Sequence, residues 1–502
     1  MLKKIRRTLA VLFFVGISLL LLDFTGTLHL WLGWMAKIQF LPAVMALNLA
    51  MIAFLVILTL LFGRVYCSVI CPLGVYQDGV SWLRGLFNKK ARRRFDPKKE
   101  HKWLRYGIWA LFVAAIIFGI HAFVVILAPY SAYGRMVQSL LQPVALWINN
   151  ALASWAERSG SYAFYTREVW LKSLPVLITA VVTLVVITVL AWKGGRTYCN
   201  DICPVGTTLS FFSRFSLFRP VIDTDKCKNC HICEKECKAS CIDIAAHKID
   251  YSRCVDCFNC LESCKFGALH YRFAPKAGGK KLSEVAADGG ESKSASGRRA
   301  FIAGTVAALG TTALKAASKK TDGGFAEVLP KQPASREVPL TPPGSRSVED
   351  FYARCTACQL CVAECPNGVL RASADFDRFM QPEMSYERGY CRPECTRCSE
   401  LCPSGAIRRI TREEKTEYHI GLAAVDRSLC VVENGGISCG NCARHCPSGA
   451  ILMVPVDASD PEGLCRPVVM EDLCTGCGAC ENLCPVRPLS AIKVNGRKTH
   501  KD

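Results

Sequence analysis

The sequence lacks the motifs that mark hydrolases and dinucleotide-dependent enzymes. No Ser/His/Asp set, Walker loop or G-x-G-x-x-G turn stands out in its 502 residues, so hydrolysis and NAD(P)H oxidation have no support. Charged residues are only 21% of the chain and the mean hydropathy is +0.21, which argues against a disordered protein. The 30 cysteines are too dilute, in too long a chain, for a small disulfide scaffold. The length suggests three or four domains.

Four long apolar segments lie in the first 200 residues. They cover residues 8–24, 42–62, 103–128 and 172–192, and their core runs approach the roughly 20 residues that a helix needs to cross hydrocarbon. The alternative, helices buried in a soluble core, is disfavoured because the run at 50–62 has no polar face. The sequence therefore predicts a membrane bundle of four helices.

Basic residues are concentrated in alternate connections of this bundle. Residues 1–7 contain four Lys or Arg and residues 84–105 contain ten, whereas 25–41 contain one and 129–171 contain three. Positive connections stay in the cytoplasm, so both ends of the four-helix unit are predicted to face it. The net charge of +20 thus reflects topology, and nucleic-acid binding is the weaker interpretation. Residues 136–156 are predicted to form an amphipathic helix on the outer surface.

Two nearly identical motifs follow the second and fourth apolar segments. Both read G-R-x-Y-C-x-x-I-C-P-x-G, at residues 63–74 and 195–206, and so many shared positions exclude chance. Cys67, Cys71, Cys199 and Cys203 are candidate catalytic residues that could ligate a metal, form a redox disulfide or lie beside a quinone. A purely structural role for the two loops is the alternative.

The region after the second motif has the cysteine spacing of a bacterial two-cluster ferredoxin. In each C-x2-C-x2-C-x3-C run, three thiolates hold one cubane and the fourth binds the other cluster. Zinc would use four ligands at wider separation, and haem attachment at residues 227–231 would consume two of the thiols. The predicted [4Fe–4S] ligand sets are Cys227, Cys230, Cys233 and Cys264, and Cys254, Cys257, Cys260 and Cys237.

Four more cysteine groups, each ending in Cys-Pro, predict four further [4Fe–4S] clusters. Spacing does not decide whether they pair one-with-two and three-with-four, or nest one-with-four and two-with-three. Outside the six clusters and the repeated motifs, Cys241 is predicted to be a small buried residue and Cys465 a spare thiol. The groups are Cys355, Cys358, Cys361, Cys365; Cys391, Cys395, Cys398, Cys402; Cys430, Cys439, Cys442, Cys446; and Cys474, Cys477, Cys480, Cys484.

A flexible linker rich in Gly, Ser, Ala and Lys is predicted at 275–297. It is followed by Arg298-Arg299 and a mildly apolar run to residue 317, a pattern similar to a twin-arginine export signal. An ordinary basic linker is the alternative. As an uncleaved fifth span, the signal would put the four-cluster domain outside the cytoplasm. The predicted domains are 1–215 (membrane), 216–275 (two-cluster), 276–345 (linker and signal) and 346–502 (four-cluster).

Two families resemble the two parts of this chain. Residues 1–275 resemble the NapH membrane ferredoxins in their apolar segments, their Cys-x3-Cys-Pro loops and their two-cluster module. Residues 297–490 resemble the exported NapG/MauM ferredoxins, so the chain looks like a fusion of the two. It departs from the pattern at Lys238 and Lys265, where Pro often follows the cluster cysteine, and it has no flavin-binding domain like that of the related nitrous-oxide reductase maturation protein.

The resemblance implies a helical bundle with α+β ferredoxin-like modules in the bacterial inner membrane, and a periplasmic C-terminal domain. It implies electron transfer from the quinol pool to a periplasmic reductase, typically nitrate reductase, or to a cytochrome c. Asp23 and His121 are predicted to take quinol protons, with capping or internal hydrogen bonding as the alternative. An assembly or reactivation factor for a metalloenzyme, and a cytoplasmic ferredoxin with a membrane anchor, are competing hypotheses.

Overall fold

The computed structural model describes residues 1–87, 95, 100–170, 173–274, 329–460 and 463–500. They form a helical bundle up to residue 213, a small cysteine-rich module at 218–273, called the N-terminal module below, and a larger C-terminal domain. The predicted linker at 275–297 and the twin-arginine-like segment at 297–317 lie outside the described residues.

The bundle is almost entirely helical, and each repeated motif contains one π-helical turn. Its α-helices are α1 (Leu2–Leu22), α2 (His29–Leu32), α3 (Trp34–Lys37), α4 (Phe40–Met45), α5 (Leu49–Phe62), α6 (Pro72–Phe87), α7 (Lys102–Ile117), α8 (His121–Leu127), α9 (Pro129–Met136), α10 (Gln142–Arg158), α11 (Leu174–Gly194) and α12 (Pro204–Ser213). Its π-helices are π1 (Tyr66–Ile70), π2 (Val137–Leu141) and π3 (Tyr198–Ile202).

The four predicted spans correspond to two continuous helices and two broken ones. Among the described residues, α1 and α11 are long and apolar enough to cross a membrane, and α5 is a shorter apolar helix. The second predicted span divides into α4 and α5, because the Asn48 side chain caps α5 by accepting the Met51 N–H at 3.1 Å. The third divides into α7 and α8 around Gly119, which has a φ of +73°.

The outer faces of the two long helices are apolar and exposed. Leu12 and Val15 on α1 are 59% and 46% exposed, and Val182 and Val185 on α11 are both 54% exposed. On its other face, α1 buries Ile17 completely in a core that the bundle shares with the N-terminal module. Soluble monomers rarely expose continuous apolar faces of this kind.

Helix α9 is buried inside the bundle, which the sequence did not predict. All eight of its residues are buried, and it packs between α6 and α11. Small side chains at Ser131, Ala132 and Gly134 allow this close packing. The predicted surface helix at 136–156 is therefore only partly right: π2 begins buried, and most of α10 is exposed or half-buried.

The N-terminal module is a small α+β unit closed by its first and last strands. Its β1 (Phe218–Ile222) pairs antiparallel with β4 (Leu269–Phe273), and β2 (Ile242–Asp243) pairs with β3 (Lys248–Ile249). Two short helices, α13 (Ile232–Lys235) and α14 (Asn259–Ser263), each begin inside a cysteine run. The strand pairing brings the two runs side by side.

The C-terminal domain contains two cysteine-rich halves. The second half repeats the strand and helix order of the N-terminal module, with β7 paired to β10 and β8 to β9. The elements are α15 (Val348–Arg354), α16 (Leu360–Glu364), β5 (Leu370–Ala372), β6 (Pro382–Met384), α17 (Arg397–Leu401), α18 (Arg412–Thr416), β7 (Gly421–Val425), α19 (Asn441–Arg444), β8 (Ile451–Pro455), β9 (Cys465–Val469), α20 (Ala479–Leu483) and β10 (Ile492–Gly496), with 3-10 turns at Phe376–Arg378 and Glu471–Leu473.

The N-terminal module and the C-terminal domain contact opposite ends of α1. Near its start, Lys3 forms a 2.6 Å ion pair with Glu262 of the N-terminal module. Just past its end, Arg397 of the C-terminal domain packs against Gly26, and Glu400 lies 3.2 Å from His29. With 21 residues, α1 is about 31 Å long, the thickness of a bilayer's hydrocarbon core.

Candidate iron–sulfur sites and a four-thiol site

The short cysteine runs share one backbone conformation. In the first run Asn229 and His231 have φ values of +48° and +55°, and in the second Asp256 and Phe258 have +48° and +59°. These left-handed residues wrap the chain tightly around a point that three thiols can reach, just before each helix begins. In the last C-terminal group the same two positions are glycines, which adopt this conformation without strain.

The thiols of the N-terminal module line two separate cavities. Both contain three thiols from one run and the last thiol of the other, as the ferredoxin spacing predicts. Site I is the cavity lined by Cys227, Cys230, Cys233 and Cys264. Site II is the cavity lined by Cys237, Cys254, Cys257 and Cys260.

The first two cysteine groups of the C-terminal domain exchange their fourth thiols in the same way. The thiols of the first three cysteines of each group lie beside the last thiol of the other group. Site III consists of Cys355, Cys358, Cys361 and Cys402. Site IV consists of Cys365, Cys391, Cys395 and Cys398.

The last two groups form the second pair, so the nested arrangement is wrong. The long first gap of the third group moves Cys430 away in sequence, but the fold returns it to the other thiols of its group. Site V consists of Cys446, Cys474, Cys477 and Cys480. Site VI is a cavity lined by Cys430, Cys439, Cys442 and Cys484.

Sites III to VI are linked by a sequence of contacts that begins at the bundle. At site III, a Cβ on Gly134 of α9 would lie 2.2 Å from the carbonyl oxygen of Cys358, so the two backbones are in contact. Between sites IV and V, the Cys391 N–H donates to the Cys477 carbonyl at 2.9 Å. Site VI shares its module with site V and is the farthest along this sequence of contacts.

The two repeated motifs meet at the end of the bundle that holds the N-terminal module. The thiols of Cys67, Cys71, Cys199 and Cys203 are close neighbours, and all four cysteines are buried. We call this the four-thiol site. The π1 and π3 turns present the first thiol of each pair, and the last cysteine of each precedes the proline that begins α6 or α12.

Reciprocal arginine contacts hold the two motifs together. Arg196 Nη1 donates to the Cys67 carbonyl at 2.7 Å, and Arg64 Nη2 donates to the Cys199 carbonyl at 2.9 Å. The same nitrogens approach sulfur: Arg64 Nη2 is 3.8 Å from Cys67 Sγ, and Arg196 Nη1 is 3.7 Å from Cys199 Sγ. This symmetry explains why both motifs begin with Gly-Arg.

The last glycine of each motif makes room for the arginine of the other. A Cβ on Gly74 would lie 2.6 Å from Arg196 Nη1, and one on Gly206 would lie 2.7 Å from Arg64 Nη2. A Cβ on either glycine would also meet the backbone of the cysteine turn in its own motif: Cys67 for Gly74 and Cys199 for Gly206. The arginine and the last glycine of each motif thus allow the two motifs to pack against each other. The sequence alone did not predict this contact.

Buried charge connects the four-thiol site to the N-terminal module. Asp78 forms ion pairs with Arg6 and Arg196 at 2.9 Å and with Lys238 at 3.3 Å. Arg64 Nη1 donates to the Ser252 carbonyl of the module at 3.1 Å. Lys238 directly follows Cys237 of site II, so this network joins site II to the four-thiol site.

The residues of the four-thiol site fit an iron–sulfur cluster better than a single metal ion. Among the described residues, no three His, Cys, Asp or Glu are close enough to hold one ion. A four-iron cube spaces its thiolates farther apart, and hydrogen bonds to sulfur stabilise the reduced cluster. Gln77 Nε2 lies 3.3 Å from Cys199 Sγ, and the Gly206 N–H lies 3.4 Å from Cys203 Sγ.

Helix α9 has one residue beside site III and another beside Tyr198 of the second repeated motif. Its Gly134 touches Cys358, and the neighbouring Arg135 donates to the Val125 carbonyl at 2.8 Å. Tyr198, which precedes Cys199, donates to the Leu127 carbonyl at 2.9 Å, at the end of α8, and lies close to Arg135 of α9. The same short helix therefore lies next to both thiol sites.

The two residues predicted to take quinol protons lie on different elements. Asp23 accepts hydrogen bonds from the Thr25, Gly26 and Leu28 N–H groups, so it caps the turn after α1. His121 begins α8.

Asp23 lies near Glu364, a residue that the sequence did not single out. Burial, together with the negative charge of Asp23, raises the pKa of the Glu364 carboxyl to about 8.

The two cysteines outside the predicted ligand sets differ in their surroundings, and Cys241 lines the site II cavity beside the four predicted ligands. Cys241 is buried, as predicted, and its Sγ is 3.4 Å from Cys237 Sγ of site II. Cys465 is half-buried in β9, and its Sγ is 3.6 Å from the Gly463 carbonyl.

Family models of iron–sulfur proteins match the chain in several places. One described as a 4Fe-4S binding domain matches residues 44–93 and 174–222, which contain the four-thiol site. A 4Fe-4S dicluster domain matches 354–406 and 437–487, in agreement with the pairing of sites III–IV and V–VI. Another dicluster domain matches 250–369, which runs from the N-terminal module into the C-terminal domain and does not coincide with a pair of sites.

Curated relatives cover about a third of the chain. The methylamine utilization ferredoxin-type protein MauM of Methylobacillus flagellatus is 33% identical over 176 residues, 34% of this chain and 74% of the relative. MauM of Methylorubrum extorquens is 31% identical over 215 residues, 40% of this chain and 90% of the relative. The chain belongs to this family of ferredoxin-type proteins. The ferredoxin-type protein NapG of Escherichia coli K12 is 32% identical over 193 residues, 35% of this chain and 80% of the relative.

As a ferredoxin-type protein, the chain is an iron–sulfur protein related to the Nap and Mau electron carriers. No solved structure matches it. The relatives just described leave more than half of the chain uncovered. The predicted fusion with a NapH-type membrane protein therefore stays a prediction.

Proposed function

We propose that this protein is an iron–sulfur electron carrier of the bacterial inner membrane that passes electrons from quinol to an acceptor outside the cytoplasm. One observation carries the proposal. Sites I and II lie at one end of α1 and sites III to VI at the other, with the four-thiol site and α9 between them. A soluble electron carrier has no need for an apolar helix of membrane thickness between its two sets of sites.

The exposed side chains of the bundle support a multi-pass membrane location. The apolar outer faces of α1 and α11 have no covering among the described residues, and lipid tails would cover them. The basic N-terminus lies on the side of the N-terminal module, and the charge pattern predicts that this side faces the cytoplasm. The C-terminal domain, at the other end, would then lie in the periplasm.

Six ferredoxin-type sites hold the proposed clusters. Each of sites I to VI has four cysteine thiols from two chain segments, which is the donor set of a [4Fe–4S] cluster. When bound, the clusters supply one-electron carriers. The protein fixes their order, because backbone contacts such as that of Cys391 with Cys477 bring neighbouring sites together.

The four-thiol site is proposed to hold a seventh cluster. Its cysteines, first considered as catalytic residues, then act as ligands, and Arg64 and Arg196 offset the negative charge of four thiolates. The 4Fe-4S binding domain that matches both motifs supports this assignment. The site would bridge the otherwise long gap between site II and site III.

The proposed acceptor is a periplasmic reductase or a cytochrome c. The resemblance to NapG favours a nitrate-reductase-like system, whereas the MauM relatives are named for methylamine utilization. Site VI is the exit site in this proposal, because it is the last in the sequence of contacts that begins at the bundle with Gly134 and Cys358. Neither the charge pattern nor the thiol sites give a reason for nucleic acid as a partner.

Iron quantification combined with EPR under quinol reduction tests the proposal. Six clusters require about 24 iron atoms per chain, and a seventh raises this to about 28. We expect Cys67→Ser with Cys199→Ser to remove about four iron atoms, whereas Cys465→Ser, the matched control, removes none. Far fewer than 24 atoms, or clusters that quinol does not reduce, would contradict the proposal.

The rate of electron transfer from quinol to the acceptor distinguishes a carrier from an assembly factor. A carrier sustains the acceptor's steady-state rate with quinol as the sole donor, and an assembly factor does not.

A further inference from the structure

A cleft lies between the outer end of the bundle and the C-terminal domain. Its enclosed part has a volume of about 60 Å³, and it is open to solvent at its mouth. Three chain segments form it: π2 with α10, the segment that leads into α11, and the α16–β5 region of the C-terminal domain. None of the residues that line it belongs to a thiol site.

The walls of the cleft suit a flat apolar ring with polar ends. Leu146, Trp170 and Leu177 provide apolar surface, and Gln138 and Gln142 provide amide groups. The two amides are 3.4 Å apart, with Gln138 Nε2 donating to Gln142 Oε1. A few polar groups converging on an otherwise apolar cavity are typical of a small-molecule site.

One polar group of the cleft lacks a protein partner. The hydroxyl of Ser173 lines the cleft, is buried, and makes no hydrogen bond with the part of the chain that the structure describes. Burying a hydroxyl without a partner is unfavourable, so this group points to a ligand that accepts or donates a hydrogen bond there.

The cleft is adjacent to site III. Val362, which lines it, directly follows Cys361, and Gln142 Nε2 donates to the Ala363 carbonyl at 3.2 Å. A molecule in the cleft would thus be separated from a site III thiol by little more than one residue. No other site of the C-terminal domain contributes a cysteine neighbour to the cleft.

The mouth of the cleft meets both water and the apolar face of α11. Glu168 at the rim is 68% exposed and forms a 3.1 Å ion pair with Arg388, whose guanidinium lies 4.5 Å from the Trp170 ring centre. Just beyond the cleft, Ile178 of α11 is 55% exposed on the apolar outer face. An apolar molecule dissolved in the bilayer can therefore reach the cleft along α11, and protons can leave through the rim.

We infer that this cleft binds the ring of a lipid-soluble hydroquinone, which gives its electrons to site III. The inference rests on the proposed function and locates its substrate. The hydroquinone loses two electrons and two protons and becomes the quinone. The electrons reduce oxidised iron–sulfur centres at site III in two one-electron steps, and the protons leave by way of the Glu168 carboxylate to water.

Photo-crosslinking of the full chain in membrane vesicles, with a short-chain azidoquinone as the probe, tests the site. We expect label in peptides from residues 138–146 and 168–177. Leu146→Trp should fill the cleft and lower the labelling by at least about fivefold. Leu152→Trp is the matched control, because Leu152 is on the same helix, is 42% exposed and does not line the cleft.

Ser173→Val keeps the inference testable if Leu146→Trp fails to fold. Loss of one hydrogen bond should weaken azidoquinone binding about fivefold with little change in shape. Label elsewhere in the chain, or unchanged labelling in both variants, would overturn the site. Reduction of the clusters by a short-chain hydroquinone, followed by EPR, distinguishes a failure of the proposed function from a failure of the proposed binding site. If the wild-type clusters are not reduced, the proposed function fails; if they are reduced but the label lies outside the cleft, only this inference fails.

Discussion

The N-terminal module and the C-terminal domain are attached to the same bundle in different ways. At the N-terminal module, the attachment is a network of buried charges centred on Asp78, whose side chain is only 12% exposed. At the C-terminal domain, the central contact is between uncharged groups: Gly134 lies against the Cys358 backbone, and the Ser131 hydroxyl donates to the Thr356 carbonyl. The first junction depends on buried charged side chains, whereas the centre of the second depends on the absence of a side chain at Gly134.

This difference bears on how each junction responds to change. Removing one member of a buried ion network leaves the others without compensation in a poorly solvated place, which is strongly destabilising. A backbone contact tolerates changes in charge, but it does not tolerate added volume.

We expect Asp78→Asn to destabilise the N-terminal junction by about 3–5 kcal/mol, because it leaves Arg6, Arg196 and Lys238 without their shared carboxylate. The measurement is hydrogen exchange at the Arg196 amide, which donates to the Lys238 carbonyl across the junction at 2.9 Å. The exposed residue Asp377 provides the control, since Asp377→Asn should leave this exchange rate unchanged. Equal exchange in both variants would show that the network does not hold the junction.

The C-terminal domain should lose stability at acidic pH. Burial lowers the pKa of His500 to about 4, and its ring contacts the Ser345 carbonyl at 3.1 Å. Below pH 6.5 the unfolded chain takes up a proton at His500 that the folded domain does not. The contribution of neutral His500 to the free energy of unfolding is therefore fully present above pH 6.5 and is lost progressively as the pH falls to 4. We expect this loss to be about 3 kcal/mol.

Guanidinium unfolding at pH 6.5 and pH 4, followed by far-UV circular dichroism, measures this loss. His500→Asn should make the difference between the two pH values smaller by about 3 kcal/mol. His231→Asn in the N-terminal module is the control, because the His231 side chain is 47% exposed. An identical pH dependence of wild type and His500→Asn would contradict the assignment.

The sequence was most informative about the thiol sites. Spacing alone predicted the sets of sites I and II, because a C-x2-C-x2-C turn can place three thiols around only one point. It could not decide the partners of the C-terminal groups, since the pairing depends on strands such as β7 and β10, which are far apart in the chain. The meeting of the four cysteines of the repeated motifs needed the reciprocal contacts of Arg64 and Arg196, which no local pattern contains.

The sequence was least informative about the bundle. Hydropathy detects apolar runs, but it does not detect the side-chain cap at Asn48 or the left-handed Gly119, which break two of the four predicted spans. It also missed the burial of α9, because this helix contains Arg135 and several polar residues and resembles a loop in composition. The Arg135 guanidinium is accepted inside because carbonyls of α8 pair with it.

The third prediction tests the backbone contact at site III. In Gly134→Ala, the new Cβ would lie 2.2 Å from the Cys358 carbonyl oxygen, so the C-terminal domain must shift away from α9. We expect this to cost about 1–3 kcal/mol. Hydrogen exchange at residues 355–361 reports the shift. Gly107→Ala in α7 is the matched control, since nothing lies within 4 Å of its Cβ, and it should be neutral or slightly stabilising.

The smallest effect is expected at the edge of the charged junction. Lys3 and Glu262 form a short ion pair, but the Glu262 side chain is 50% exposed, so water already compensates much of its charge. We expect Glu262→Gln to change the free energy of opening that hydrogen exchange measures at the Arg196 amide by no more than about 1 kcal/mol, far less than Asp78→Asn does. A double variant with Asp78→Asn should add the two effects, because the pairs share no partner. If Glu262→Gln alone matched the effect of Asp78→Asn, burial would not be what distinguishes the junction, and the contrast with the C-terminal domain would lose its physical basis.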